Sequence, residues 1–386
     1  MATYGKYGSK PDGTANSFET NMKVVHLTSV HPPFDVRIFH KECRTLAQAG
    51  HDVVLIACHD RDETVDGVRI HATRRPKSRL ERMTRTTWQI LRAALDEKAD
   101  IYHFHDPELI PAALFLKYSG YKVIYDIHED LPQQILVKSW MPHWIRKPVA
   151  SAMKFTEAFS ARRFDALCVP AVSFLEKFRK LNRNTALVRN FVTSEFAAPD
   201  QRKINPRHLL HAGGLSDQRG LTNMLNVLGR LPNDVKLLLA GPFANAQAAQ
   251  QAKTHPYWNR VEYFGVLSHS ELRKLYQKAA VGLILYNNVG QYGGSTAVKL
   301  YEFMLWEIPV VMPDFGDWPM FNREHNCGVC VDVTNPAEAS RTIHALLDDP
   351  EWARELGRRG RAAALQNFVW EAEARTLVSL YESLSQ

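Results

Sequence analysis

The sequence predicts an α/β fold built from two doubly wound, parallel-sheet halves. Two observations carry this. Short apolar runs recur with helical patterns of roughly ten to fifteen residues between them, and after a polar, proline-broken stretch the same alternation starts again. Strands buried on both faces read as continuous apolar runs rather than alternating ones, which is what these segments show.

The first half opens with a strand at Lys23–Thr28 and a loop at His31–Asp35. A helix at Ile38–Gln48 follows, and Gly50 supplies its C-terminal cap. Strands are expected at Asp52–Ala57 and Val68–Ala72, a helix over Arg82–Lys98, then a strand at Ile101–His105. A helix at Leu109–Tyr118 leads to strands at Lys122–Asp126 and Ala166–Val169. Polar residues and two prolines between Thr193 and Pro206 break the period, and the link between halves is placed there. The second half has strands at Arg207–Ala212, Val235–Ala240, Val261–Phe264, Val281–Tyr286, Val310–Met312 and Val329–Val331, with a helix at Leu221–Leu231 after the first. The domains are therefore 22–195 and 206–365, preceded by a polar, disordered or tag-like extension at 1–21 and closed by a helix at 366–386 that returns toward the N-terminal domain.

Composition narrows the class. With 45% hydrophobic and 23% charged residues the chain is globular, and no apolar run is long enough to predict a membrane span. Residues 1–21 have no apolar core, so no secretory signal is expected. Five scattered cysteines do not form a disulfide framework, and Cys327 and Cys330 are read as buried thiols in a reducing cytoplasm. A net charge of +7 favours anionic partners: nucleotides, nucleic acid or an acidic membrane surface. No nucleic-acid-reading motif is visible, so nucleic acid is set aside.

Three groups of residues in loops at the carboxyl ends of strands carry the chemistry, where ligands of such sheets bind. In the first, Gly290, Gly293 and Gly294 precede Ser295 and Thr296, then Ala297, Val298, Lys299 and Glu302 enter a helix. Glycines before a helix N-terminus expose amides to an anion. Lys299 suits phosphate, and Glu302 suits a diol such as ribose. In the second, Gly213 and Gly214 lead through Arg219 to Gly220 and a helix. A cation at the positive end of a helix points to an anion held between them. The third group belongs to the first half. His103 and His105 share one side of a strand that ends at Asp106, and the next strand ends at Asp126, His128, Glu129 and Asp130. These groups suit sugar hydroxyls. No metal site is expected, because converging ligands cannot be placed.

Two segments suit an anionic membrane interface, with a core helix bearing a solvated charged face as the competing reading. One is the basic block Arg74, Arg75, Lys77, Arg79, Arg82 and Arg85 running into Trp88. The other is Leu131–Lys147, with Ile135, Leu136, Trp140, Met141, Trp144 and Ile145 beside Lys138, Arg146 and Lys147.

The two Rossmann-like halves, the Gly213–Gly220 loop, and Val298-Lys299-Leu300-Tyr301-Glu302 followed by Pro309-Val310-Val311 resemble glycosyltransferase family 4, of the GT-B fold, in which two domains face a central cleft. Phe39–Val53 and Asp348–Trp370 add to the resemblance, which runs from Met22 to the C-terminus. It implies a retaining, metal-independent transferase without cofactor, using a UDP- or GDP-linked sugar as donor substrate. The acceptor would be a saccharide, lipid-linked in many members, on the way to lipopolysaccharide, exopolysaccharide or glycolipid. The enzyme would sit in the cytoplasm, peripheral on the inner face of the membrane. The resemblance further implies that Glu302 binds the ribose, that Thr296, Ala297 and Val298 offer amides, that Arg219 contacts the diphosphate, and that Gly265 and Val266 flank the base. His105 would lie near the reacting sugar, with Arg219 and Lys299 completing the catalytic set. His31, Asp35, Arg37, Asp106, His128, Glu129 and Asp130 would face the acceptor. Two slots depart from the family pattern: Gly294 stands where a glutamate is usual, and Gly214 where an arginine is usual. They keep two alternatives open, a nucleotide-sugar epimerase of the same fold and a catalytically inactive sugar-nucleotide binder.

Overall fold

The computed structural model describes residues 21–137, 141–199, 201–289 and 297–385. The chain divides into two compact units, 1–123 with 381–386, and 124–380. In the first, β1 is Lys23–Leu27, β2 Asp52–Cys58, β3 Glu63–Val65, β4 Val68–Thr73 and β5 Ile101–Phe104. They lie in the order β3-β4-β2-β1-β5. All pairs are parallel except the short β3–β4 hairpin, which the sequence did not reveal. The register sets His26 of β1 beside His103 of β5. Just past these strands, the Asp106 carboxylate accepts hydrogen bonds from Thr28 Oγ1 (2.7 Å) and the backbone amides of Ser29 (2.6 Å) and Val30 (3.1 Å), tying the two strand-end loops together.

The helix expected at Ile38–Gln48 is π-helical over Ile38–Cys43 and α-helical only over Arg44–Gln48. The wide turn has a reason. Arg37 and Glu42 are five residues apart, both buried, and their side chains meet at 3.0 Å. An α-helix would point them about 140° apart, whereas a π turn brings them to one side. The next helical stretch begins earlier than the sequence suggested, at Arg79, because Ser78 Oγ accepts from the Glu81 amide and caps it.

In the second unit, β6 (Lys122–Asp126, which straddles the boundary), β7 (Ala166–Val169) and β8 (Thr185–Leu187) pair in parallel. A second sheet holds β9 (His208–Ala212), β10 (Lys236–Ala240), β11 (Val261–Tyr263), β12 (Val281–Leu283), β13 (Val310–Pro313) and β14 (Gly328–Val331). It is all parallel in the order β11-β10-β9-β12-β13-β14. Alternate residues serve two cores. Leu209, Leu237, Leu239 and Val311 pack on one face, and Leu210, Leu238, Val310 and Met312 on the other. Both faces are covered, which explains the unbroken apolar runs. The strand order reverses at β9/β12, so the loop after β9 lies at a topological switch point.

Two expectations need correction. The strand at Val281–Tyr286 ends at Leu283. Beyond it, the Leu285 carbonyl accepts from Asn223 Nδ2, and the Asn287 amide bonds to the Gln218 carbonyl, so the chain leaves the ladder to meet the loop after β9. The segment Leu131–Lys147 is not one amphipathic surface. Helices Leu131–Val137 and His143–Ala161 pack together, and Ile135 and Met141 are buried between them with Ala150. Lys138 and Trp140 lie outside the described residues. Among the described residues no helix is long and apolar enough to cross a membrane.

Gly220 fixes how the loop after β9 joins its helix, Leu221–Leu228. Its φ is +73°, and a Cβ there would stand 1.7 Å from the Leu285 carbonyl oxygen. Gly220→Ala should therefore lower unfolding free energy by about 2 kcal/mol or more, read as a lowered denaturant midpoint at unchanged slope.

Candidate active site

A cavity of about 500 Å³ opens at the carboxyl ends of β9 and β10. Ala212 and Gly213 line it from β9, Ala240 and Gly241 from β10, and Tyr286 from the chain after β12. Arg219, Val266, Ala297, Val298, Lys299 and Glu302 also line it, with His128 and Glu129 and the apolar Leu267 and Leu272.

Two cations share its floor. Lys299 enters from the first turn of helix Val298–Leu305 and is only 6% exposed. Its Nζ lies 3.0 Å from His211 Nε2 and 5.1 Å from the centroid of the Tyr286 ring. The His211 Nδ1–H donates to the Leu283 carbonyl (2.9 Å), which leaves Nε2 as the acceptor for Lys299. His211 is completely buried. Burial first, then the Lys299 charge, push its pKa well below the ordinary value. Burial, then the nearby Arg219 charge, lower that of Lys299, while Glu302 acts in the opposite direction. Arg219 ends a short 3-10 turn whose cap is Ser216, with Oγ accepting from the Arg219 amide at 3.2 Å.

The glycines make room for these side chains. A Cβ on Gly213 would stand 2.7 Å from Lys299 Nζ, and one on Gly214 would stand 3.0 Å from a guanidinium nitrogen of Arg219. The side chains absent at these positions are replaced, in space, by the two cations.

Glu302 is held by Tyr276, whose Oη donates to Oε2 at 2.5 Å. Tyr276 is buried, and burial followed by the Glu302 charge raises its pKa well above the usual phenol. Val266 is exposed and lines the cavity. Gly265 lies just behind, with φ +66° and its carbonyl bonded to the Gly241 amide at 2.6 Å. Ser295 and Thr296, like Gly290, Gly293 and Gly294, lie outside the described residues. His128 Nε2 contacts Asp126 Oδ2 at 2.8 Å. Asp130 is turned to its own helix and to Lys177: it accepts from the Gln133 amide (3.1 Å) and from Lys177 Nζ (3.4 Å).

The remaining candidates belong to the first unit and form two groups. His31 bridges Asp35 (3.3 Å) and Asp106 (3.5 Å). Burial raises the Asp35 pKa, but hydrogen bonds from the His31 ring and from the Ile38 and Arg37 amides outweigh it and hold the carboxylate well below its usual range. Arg37 is buried against Glu42. His105 belongs to a wholly buried cluster. Its Nε2 lies 3.0 Å from His26 Nδ1, and the Tyr381 hydroxyl lies 3.3 Å from His26 Nε2 and 2.7 Å from His103 Nδ1. Donor atoms of His26, Glu42, His103 and His105 come within 4.8 Å of one another, a convergence that the sequence did not locate. Arg37 already pairs Glu42, and a fixed guanidinium opposes an added dication; the imidazoles are joined to one another and to Tyr381, the pattern of a hydrogen-bonded core cluster.

Sequence reasoning missed His211, Tyr276 and Tyr286. His211 left a signal: a histidine inside an apolar strand, two residues before Gly213. Tyr276 left none, because it reaches Glu302 from a separate helix, His269–Lys278.

Residues 36–190 match the family described as "Glycosyl transferase 4-like domain", and residues 194–363 match "Glycosyl transferases group 1". Over 385 aligned residues the chain is 23% identical to an MMP alpha-(1->4)-mannosyltransferase of Mycolicibacterium hassiacum, covering 88% of this chain and 92% of that one. Among solved structures, sucrose-phosphate synthase from Thermosynechococcus elongatus superposes with a TM-score of 0.73 at 17% identity, over 94% of this chain and 99% of the other. Anabaena HepE in complex with UDP-glucose gives 0.68 at 14% identity, over 94% and 100%. These likenesses establish the fold as GT-B, with two parallel-sheet α/β domains.

The depressed His211 pKa has a consequence for stability. The unfolded chain binds a proton near the ordinary histidine value and the folded chain does not. His211 therefore contributes stability that is present above about pH 6.5 and is lost as pH falls below it. Replacing it by glutamine, which has an oxygen to accept from Lys299 but does not titrate, removes this contribution. The stability of wild type relative to His211→Gln should be greater at about pH 7.5 than at about pH 5.5 in urea unfolding.

Proposed function

The chain belongs to the group 1 glycosyltransferases, and on that premise we propose that it moves a sugar from a nucleotide diphosphate-sugar to a saccharide acceptor with retention of anomeric configuration. One observation carries the reading: Arg219 from the loop after β9 and Lys299 and Glu302 from helix Val298–Leu305 line one cavity at the switch point of a parallel sheet. Two cations suit a diphosphate, and the carboxylate oriented by Tyr276 suits the ribose diol. Val266, which lines the cavity, suits the base together with Gly265 before it, and Ala297 and Val298, at the start of their helix and on the cavity wall, suit the phosphates with their amides.

In this mechanism the bond from the anomeric carbon to the diphosphate oxygen breaks, and negative charge gathers on the leaving group. Arg219 and Lys299 are fixed where that charge develops, which is a role a divalent cation fills in other transferases. The acceptor oxygen bonds to the same face of the anomeric carbon, and its proton passes to the leaving phosphate oxygen. His128 and Glu129, which line the cavity, serve the reacting sugar. The acceptor is lipid-linked, and the work is done at the anionic inner face of the cytoplasmic membrane, in the assembly of cell-surface polysaccharide or glycolipid. The His128–Asp126 pair beside Glu129 favours the epimerase as second reading, because it offers acid and base groups at the cavity.

Lys299→Ala should weaken UDP or GDP binding about tenfold or more, the worth of a charge-assisted contact, and Glu302→Ala should weaken it further when the ribose is present than when inorganic pyrophosphate is the ligand. Calorimetry checks both, and an unchanged affinity removes the assignment. Incubation with a panel of nucleotide sugars and lipid extract, with the product followed by NMR in the presence of chelator, should show transfer with retained configuration. An inverted product excludes the same-face route, and free epimer without transfer selects the second reading.

A further inference from the structure

Helix His143–Ala161 has an outer face that no part of the fold explains. Trp144 is 80% exposed and Phe155 72%, with Phe159 beside them. Spacings of eleven and four residues set all three on one side of an α-helix. The Phe155 and Phe159 rings stack at 6.3 Å. The opposite side is the one that packs on helix Leu131–Val137 through Ala150 and Met153. Large aromatics are therefore displayed to solvent by a helix whose burial needs are already met.

Charge distinguishes this face from an ordinary sticky patch. Between His143 and Arg163 the cations are Arg146, Lys147, Lys154, Arg162 and Arg163. The one acid is Glu157, which is buried, its pKa raised by burial to about 7, and paired with Lys177 at 3.6 Å. No acid on this helix faces solvent. The Arg163 guanidinium sits 3.4 Å over the Phe159 ring. The basic block of the first unit differs: it exposes Leu80, Met83 and Trp88, but Arg82 pairs with Glu108, Arg85 with Glu81 and Arg75 with Asp60.

We propose that the outer face of helix His143–Ala161 docks the enzyme on an anionic lipid bilayer, with Trp144, Phe155 and Phe159 entering the headgroup boundary and Lys147, Lys154 and Arg162 resting on lipid phosphates. An amphipathic helix with aromatics on one side and lysine and arginine flanking them lies in the plane of such an interface. This rests on the reading of a lipid-linked acceptor; of the two segments the sequence suggested it keeps Trp144 and Lys147 from 131–147 and extends the interface along the outward face of the helix that begins there.

The test uses the full chain and vesicles of phosphatidylcholine alone or mixed with phosphatidylglycerol, separated by sedimentation. Wild type should bind the anionic vesicles, bind neutral ones weakly, and release as salt is raised. Lys147→Glu with Lys154→Glu should lower the bound fraction about tenfold or more. Trp144→Ser with Phe155→Ser should lower it at both low and high salt. Both variants should keep wild-type melting temperature and the same thermal shift with UDP or GDP, since neither pair lines the nucleotide cavity. Equal binding to both vesicle types, no binding to either, or binding that survives both variants overturns the proposal. A dimer in light scattering that the Trp144/Phe155 variant dissolves, without vesicle binding by wild type, gives this face to a second copy and also overturns it. Loss of nucleotide binding in wild type would instead strike the transferase reading and leave the vesicle result to stand separately.

Discussion

Two positive charges held near each other, one of them nearly buried, are the constraint on which the cavity at the ends of β9 and β10 depends. Lys299 is nearly buried, and its proton is destabilised by burial and by Arg219. Such an arrangement is costly in isolation. It persists because His211, held on β9 by the Leu283 carbonyl, stays neutral and gives Lys299 an acceptor. An entering dianion relieves the repulsion. In the function proposed, the same feature that lowers stability suits the cavity to a diphosphate, and more so to the charge that develops when the leaving group departs.

The two departures from the family pattern meet different ends. Gly214 occupies the slot where the resemblance expects an arginine, and the space that slot would fill holds the Arg219 guanidinium. Gly213 likewise yields its volume to Lys299. The volume that a side chain at either glycine would need is taken by a cation from elsewhere in the chain. Gly294 lies outside the described residues, so its counterpart is not among these contacts.

What the sequence disclosed follows from which forces are local. Strands with apolar residues on both faces, such as Leu209–Leu210 and Leu237–Leu239, announce a covered parallel sheet whatever their neighbours are. The glycines at 213 and 214 announce a loop with room for other groups, here Lys299 and Arg219. The π-helical turn at Ile38–Cys43 was illegible, because it answers to an Arg37–Glu42 pair whose burial only the tertiary fold decides. Leu131–Lys147 misled for a related reason: amphipathic spacing identifies an apolar face but does not say whether another helix covers it, and here Ile135 and Met141 are covered. Tyr276 and Glu302 illustrate the general limit. Their 2.5 Å hydrogen bond joins two helices, and neither helix carries a sign of the other.

His105 shows the same dependence in its most concentrated form. Its ring is joined to His26 of β1, His26 to the Tyr381 hydroxyl, and that hydroxyl to His103 of β5. Donor and acceptor roles along this path depend on the ring tautomers, and those are coupled through His26: a ring that accepts at Nδ1 carries its proton at Nε2, toward Tyr381. The orientation and tautomer of His105 are thus a property of the group, set partly by a tyrosine in the last helix of the chain, Trp370–Ser385. A residue at the end of a strand is positioned by what lies across its sheet, and by a helix tail far along the sequence, as much as by the strand itself.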